Sequence, residues 1–170
     1  MIIWIAGLSA AGKTTLATAL AAKLRRRMPN LVVLDGDVIR QLYGNDLGYE
    51  EADRVVQIKR IQNLAAFLES QGIVVVVAAL YARDDLLEEN RRLFGKYFEV
   101  YLKADLDVLK KRESKGLYRK ALKGEMPNVV GVDIPWNAPR APDLIFDLAD
   151  GLTPDQMVDV LSNTLNTART

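Results

Sequence analysis

Apolar residues fall along this chain in short runs separated by amphipathic stretches. Residues 2–6 (Ile-Ile-Trp-Ile-Ala) are too few for a helix and predict a buried strand. Residues 15–27 carry Leu16, Ala19, Leu20 and Leu24 at helical spacing. Residues 31–34 predict a second strand, ending at Asp35-Gly36-Asp37. A long helix is expected over 51–71, where Val55, Ile58, Ile61, Leu64, Ala65 and Leu68 mark one apolar stripe, and Gly72 is its C-terminal stop. Residues 73–80 form the most apolar run and predict a central strand covered on both faces. A helix over 84–94, a strand over 98–102, a short helix over 105–112 capped by Asp105 and a last strand over 143–148 follow. Thr153 as N-cap, Pro154 in the first turn and Gln156 as the return half of a capping box open a final helix. That helix turns Met157, Val160, Leu161 and Leu165 inward, and the last residues are expected to fray. The alternation predicts an α/β fold: about five parallel strands with helices on both faces, in one domain spanning 1–170.

One segment breaks the alternation. Residues 112–142 hold glycines at 116, 124 and 131, prolines at 127, 135, 139 and 142, and the cations Lys115, Arg119, Lys120 and Lys123. An insertion of this length in a compact domain predicts a lid rather than one regular element. A basic lid excludes water and neutralises a transferring phosphoryl group.

The turn after the first strand carries the strongest chemistry. Gly7-Leu8-Ser9-Ala10-Ala11-Gly12-Lys13-Thr14-Thr15 fits G-x-x-x-x-G-K-[ST], between a strand and a helix as that motif requires. Its backbone N–H groups, with the dipole of the following helix, cradle phosphate oxygens. Lys13 reaches the outer phosphates, and the Thr14 hydroxyl suits Mg2+. The chain is therefore expected to bind a nucleoside triphosphate. Asp35 and Asp37 follow the second strand, and right-handed crossovers bring that turn to the edge the glycine loop occupies, where ligands of open sheets bind. Arg54, Lys59 and Arg60 lie off the apolar stripe of the long helix and are candidates for an anionic acceptor.

Composition narrows the chemistry. The chain contains no histidine and no cysteine, so a general base must be Asp, Glu or Lys, and thiol chemistry and disulfides are excluded. The 22 acidic and 23 basic residues nearly cancel, which gives no field for nucleic acid or a membrane surface. Arg25-Arg26-Arg27 reads as cations complementing the end of the first helix. No signal peptide or bilayer-spanning run is present, so a cytoplasmic protein is expected. No nucleic-acid or membrane partner is expected. Sequence leaves a homodimer open.

Several motifs together resemble the adenylylsulfate (APS) kinase family. They are Gly7-Leu8-Ser9 with Gly12-Lys13-Thr14-Thr15, Leu34-Asp35-Gly36-Asp37 with Arg40, Asp46-Leu47-Gly48, Asp53-Arg54, Arg112, Lys115-Gly116-Leu117-Tyr118 with Ala121, Gly131 with Asp133, and Pro139. The resemblance spans nearly the whole chain and implies a P-loop NTPase-type kinase. Such enzymes transfer the γ-phosphoryl of ATP to the 3′-hydroxyl of adenylylsulfate, so the resemblance implies a small-molecule nucleotide acceptor as the partner. It further implies a base role for Asp37, a place near the metal for Asp35, acceptor-anion binding by Arg40 and Arg54, and charge neutralisation by Lys115 and Arg112 in the lid.

The departures from the family pattern cluster on the acceptor side. Val38 stands for an asparagine after Asp-Gly-Asp, Gln57 for an asparagine of the acceptor site, and Tyr81-Ala82 for Ser-Pro. Val129-Val130-Gly131 stands for Phe-Thr-Gly, whose ring packs on the acceptor adenine, and Trp136-Asn137 for Tyr-Glu. Tyr49 replaces a phenylalanine and keeps a stacking face; on the donor side Ala10 replaces a glycine. A related branch of the family phosphorylates cytidine diphosphoramidate, and a changed base pocket suits that acceptor as well. A GTPase would need Asn-Lys-x-Asp, where this chain reads Leu102-Lys103-Ala104-Asp105. A nucleoside monophosphate kinase would not explain Lys115-Gly116-Leu117-Tyr118, and a non-catalytic nucleotide-binding module would not need both Lys13 and Asp37.

Overall fold

The computed structural model describes residues 1–167; the expected fraying of the last three residues lies outside them. Five parallel strands form one sheet in the order β2-β3-β1-β4-β5: β1 (Ile2–Gly7), β2 (Leu31–Asp35), β3 (Val74–Ala79), β4 (Tyr97–Lys103) and β5 (Leu144–Asp147). β1 and β3 are buried along their whole length, as near-continuous apolar strands covered on both faces should be. Helices α1 (Lys13–Leu24), α2 (Gly36–Leu42), α3 (Glu51–Ser70), α4 (Asp84–Leu93), α5 (Leu106–Arg112), α6 (Leu117–Leu122) and α7 (Pro154–Thr167) complete the fold.

The stripe of α3 packs as its spacing implies, with Ile58, Ile61 and Ala65 buried. α3 ends in a Schellman turn: Gly72 has φ 75°, its N–H donates to the Glu69 carbonyl, and Ile73 N–H reaches back to Leu68. Thr153 and Gln156 exchange both bonds of the capping box at the start of α7.

Some expectations are corrected. α1 begins at Lys13, not residue 15, because Gly12 at φ 97° already turns the chain into the helix; it ends at Leu24, leaving Arg25, Arg26 and Arg27 exposed past its end. The Asp35-Gly36-Asp37 turn is the start of α2, since the Asp35 carboxylate accepts N–H bonds from Asp37 (2.9 Å) and Val38 (3.4 Å). Asp105 occupies the N-cap of α5 but makes no side-chain cap bond. In α7, Val158 is buried while Val160 is 42% exposed. The inserted segment is not wholly irregular either. α6 lies inside it, capped by Glu113, whose two carboxylate oxygens accept from Lys115 N–H and Leu117 N–H at 2.5 Å each.

Gly7 closes β1 opposite Leu102 of β4. A β-carbon there would come 2.9 Å from the Leu102 carbonyl oxygen and 3.2 Å from its β-carbon, so only glycine lets the chain leave the sheet at this point. Gly7→Ala is expected to cost about 1–3 kcal/mol of stability through overpacking. Urea melting measures it, and an unchanged midpoint would show that the two strands separate freely.

Candidate active site

The sheet's C-terminal edge delivers the site. β1 ends in the glycine loop, β2 in Asp35 and β3 in Ala79, and the ends surround a cleft of about 940 Å³. On the loop side it is lined by Ser9, Ala10, Gly12, Lys13, Thr14 and Thr15. Asp35, Asp37, Arg40, Tyr49, Arg54 and Gln57 line the opposite side, and Arg112, Lys115, Leu117 and Val130 come from the lid. Three expected site residues sit behind this lining: Gly7 in β1, Ala11, which is buried, and Gly116, whose φ of 71° opens α6. Their part is to shape the backbone rather than face the cleft.

The loop leaves donors for an anion. The Gly12 N-cap of α1 makes no side-chain cap bond, so the first amides of that helix retain unmatched donor capacity. Lys13 Nζ donates to the Leu8 carbonyl at 2.7 Å, which holds the ammonium across the loop. Burial pushes the Lys13 pKa down to about 8, against the opposing pull of Asp37 and Asp35. Arg112 approaches the same helix end: a β-carbon on Gly12 would lie 3.9 Å from its Nη2. Thr14 Oγ1 donates to Asp35 Oδ2 at 2.5 Å, so a hydroxyl and a carboxylate converge beside the phosphate cradle. These two hard oxygens are the donor type that magnesium takes.

The opposite half groups two arginines around one ring. Arg40 is buried, and its Nη1 donates to the carbonyls of Leu47 and Gly48, both at 2.9 Å. Arg54 Nε donates to the Tyr49 carbonyl at 2.8 Å, and its Nη2 to the lid carbonyl of Asn128 at 2.7 Å. Both guanidinium carbons lie near the exposed Tyr49 ring, at 4.8 Å and 5.6 Å from its centroid. Burial, then the Arg40 charge, lowers the Arg54 pKa from its ordinary value. Gln57 Nε2 donates to the Gly36 carbonyl at 3.1 Å. The other two cations of α3 are engaged elsewhere, Arg60 with Asp46 and Lys59 with Glu89.

Tyr81 and Val129, two of the acceptor-side departures, line the cleft, and several further lining residues were not anticipated. Tyr81 is buried at the end of β3 and donates its hydroxyl to Glu51 Oε1 at 2.8 Å; burial and that carboxylate raise its pKa. Met126, Pro127, Asn128 and Val129 reach the cleft from the lid, and Ile58, Ile61 and Leu80 form its floor. For Leu80, a place just beyond a strand's carboxyl end was the available signal.

A phosphate cradle at the edge of a parallel sheet, facing an arginine-lined acceptor half, defines a P-loop kinase. The chain belongs to the adenylylsulfate kinase family. A family model described as Adenylylsulphate kinase matches residues 1–147. The adenylyl-sulfate kinase of Bacillus velezensis is 40% identical over 148 residues, covering 86% of this chain and 75% of the relative. A cytidine diphosphoramidate kinase of Campylobacter jejuni is 39% identical over 146 residues, covering 86% and 85%. Among solved structures, the Mycobacterium tuberculosis APS kinase CysC in complex with AMPPNP and APS superposes with a TM-score of 0.88 at 30% identity, covering 97% of this chain and 96% of that one. Among the described residues, no helix is long and apolar enough to cross a membrane.

Lys13 gives the site a pH signature. A triphosphate favours the ammonium form, so binding raises this pKa and takes up a proton when the free protein is titrated near 8. Triphosphate affinity is expected to fall as pH rises above about 8, by at most about tenfold per unit, the slope of one linked proton. Calorimetry in buffers of different ionisation enthalpy reads the proton uptake. Lys13→Met should bind weakly and lose that step.

Proposed function

We propose that this chain transfers the γ-phosphoryl group of ATP to the 3′-hydroxyl of adenylylsulfate. The observation that carries the reading is one cleft in which the glycine loop with Lys13 faces Asp37, Arg40 and Arg54. Loop amides, Lys13 and Arg112 bind the donor's phosphates. Arg40 and Arg54 hold the acceptor's anionic groups, and Tyr49 offers its ring to the base. Thr14 and Asp35 would hold magnesium, which would supply positive charge against the donor's phosphates.

Asp37 serves as the base. The chain has no histidine, and this carboxylate lines the cleft between the loop and the acceptor half. The acceptor oxygen forms a bond to the γ-phosphorus while the bond to the β-phosphate's bridging oxygen breaks. The hydroxyl proton passes to Asp37, and ADP leaves. Lys115 neutralises the transferring group from the lid, which also excludes water. A reaction that consumes ATP suits the cytoplasm.

A second acceptor is favoured by one feature. The lid presents the buried aliphatic residues Val129 and Val130 to the cleft, where the family pattern has an aromatic ring for adenine. A stacking ring is worth about 1–3 kcal/mol, enough to shift preference between bases. The Campylobacter relative is a cytidine diphosphoramidate kinase, and that compound is the alternative acceptor.

The test is ADP formation from magnesium-ATP with each acceptor in parallel. Higher kcat/KM with adenylylsulfate is expected; preference for the cytidine compound would transfer the assignment to it, and turnover of neither would overturn both. Asp37→Asn should retain ATP binding and lower kcat about a hundredfold or more, the usual scale for a general base. Undiminished kcat in that variant would remove Asp37 from the role.

A further inference from the structure

We propose that Tyr118 is a positioning residue: through its hydroxyl, the lid holds the Ser9–Ala10 peptide in the orientation that turns the Ala10 N–H toward the donor phosphates. The inference rests on the reading of the glycine loop as the ATP site.

Tyr118 is 1% exposed, in α6, and is not among the cleft-lining residues. Its hydroxyl donates to the Ser9 carbonyl at 2.9 Å across 109 positions of sequence. Burial pushes its pKa up to about 12, so the hydroxyl keeps its proton and remains a donor at neutral pH. In a trans peptide the carbonyl and the next N–H point in opposite directions, and no peptide bond among the described residues is cis. Holding the Ser9 carbonyl toward α6 therefore sends the Ala10 N–H the other way, toward the cleft that Ala10 lines.

The tether opposes a specific strain. Ala10 has φ 63°, a left-handed conformation that costs a residue with a β-carbon. Rotating the Ser9–Ala10 peptide by half a turn would carry φ of residue 10 into the negative, unstrained region. The same rotation would aim the Ser9 carbonyl, not an N–H, at the phosphates. A glycine at position 10 would feel no such pull, because it occupies both regions about equally. Alanine here thus makes the loop depend on the lid's hydroxyl.

The experiment is a four-chain cycle: wild type, Tyr118→Phe, Ala10→Gly and the double variant. Calorimetry measures the Kd of magnesium-AMPPNP for each, thermal melting confirms each fold, and steady-state assays give KM for ATP and kcat. With alanine at position 10, Tyr118→Phe should raise Kd about fivefold or more, the factor that the left-handed penalty implies. It should raise KM for ATP alike and move kcat at saturating ATP by less than about twofold, because grip on the donor is what changes. With glycine at position 10, the same loss of the hydroxyl should raise Kd by less than about twofold. Equal factors in both backgrounds would show that Tyr118 acts by packing alone and would overturn the tether. So would an unchanged Kd in Tyr118→Phe. A wild-type chain that binds no AMPPNP would instead sink the donor assignment, and this inference with it.

Discussion

The site depends on a helix whose first amides no side chain caps. An α-helix always begins with N–H groups that its own turns cannot satisfy. Aspartate, serine or threonine commonly meets that need, but α1 begins at Gly12, which has no side chain to offer. The unmatched donors, the aligned peptide dipoles and Lys13 therefore converge on one small region at the edge of the sheet. The parallel sheet makes this possible. β1 sits between β3 and β4, buried on both faces, so the loop that leaves it is held by neighbours on either side.

The two sides of the cleft come from different parts of the chain. The loop and α1 carry the phosphate cradle, while α2, the connector before α3 and the start of α3 carry Arg40, Tyr49 and Arg54. Asp35 stands between the halves, bonded to Thr14 on one side and to the first amides of α2 on the other. Of the departures from the family pattern, Tyr49, Gln57, Tyr81, Val129 and Val130 line the cleft, whereas Val38, Ala82 and Asn137 do not and Trp136 packs against Tyr101 of β4. On the loop side, Ala10 adopts a positive φ that glycine would take freely.

Local features were legible in sequence and long-range ones were not. The glycine loop could be read because its spacing dictates backbone shape without help from elsewhere, and the capping box at Thr153 and Gln156 for the same reason. The apolar runs gave the strands because parallel strands buried on both faces tolerate little else. The short helices α2 and α6 escaped, having too few residues to show a period. Val160 was misplaced because it shares a helical face with Met157 and Leu161 closely enough that only packing decides; Val158 took the buried place. The bonds from Tyr118 to Ser9 and from Tyr81 to Glu51 join distant segments, and no spacing rule anticipates such pairs.

The crowding of Arg40 and Arg54 around Tyr49 has an electrostatic side. Two like charges share the neighbourhood of one ring, held there by backbone carbonyls and not by carboxylates. Asp46 interacts with Arg40 and Asp133 with Arg54 only from a distance, so two cations stay grouped on one side of the cleft although the whole chain carries a formal charge of only +1. The reach of such charges is roughly 10 Å at about 0.1 M ionic strength and shrinks as salt is added. An anion reaching this side of the cleft meets a charge arrangement that net charge alone would hide, and added salt weakens that attraction.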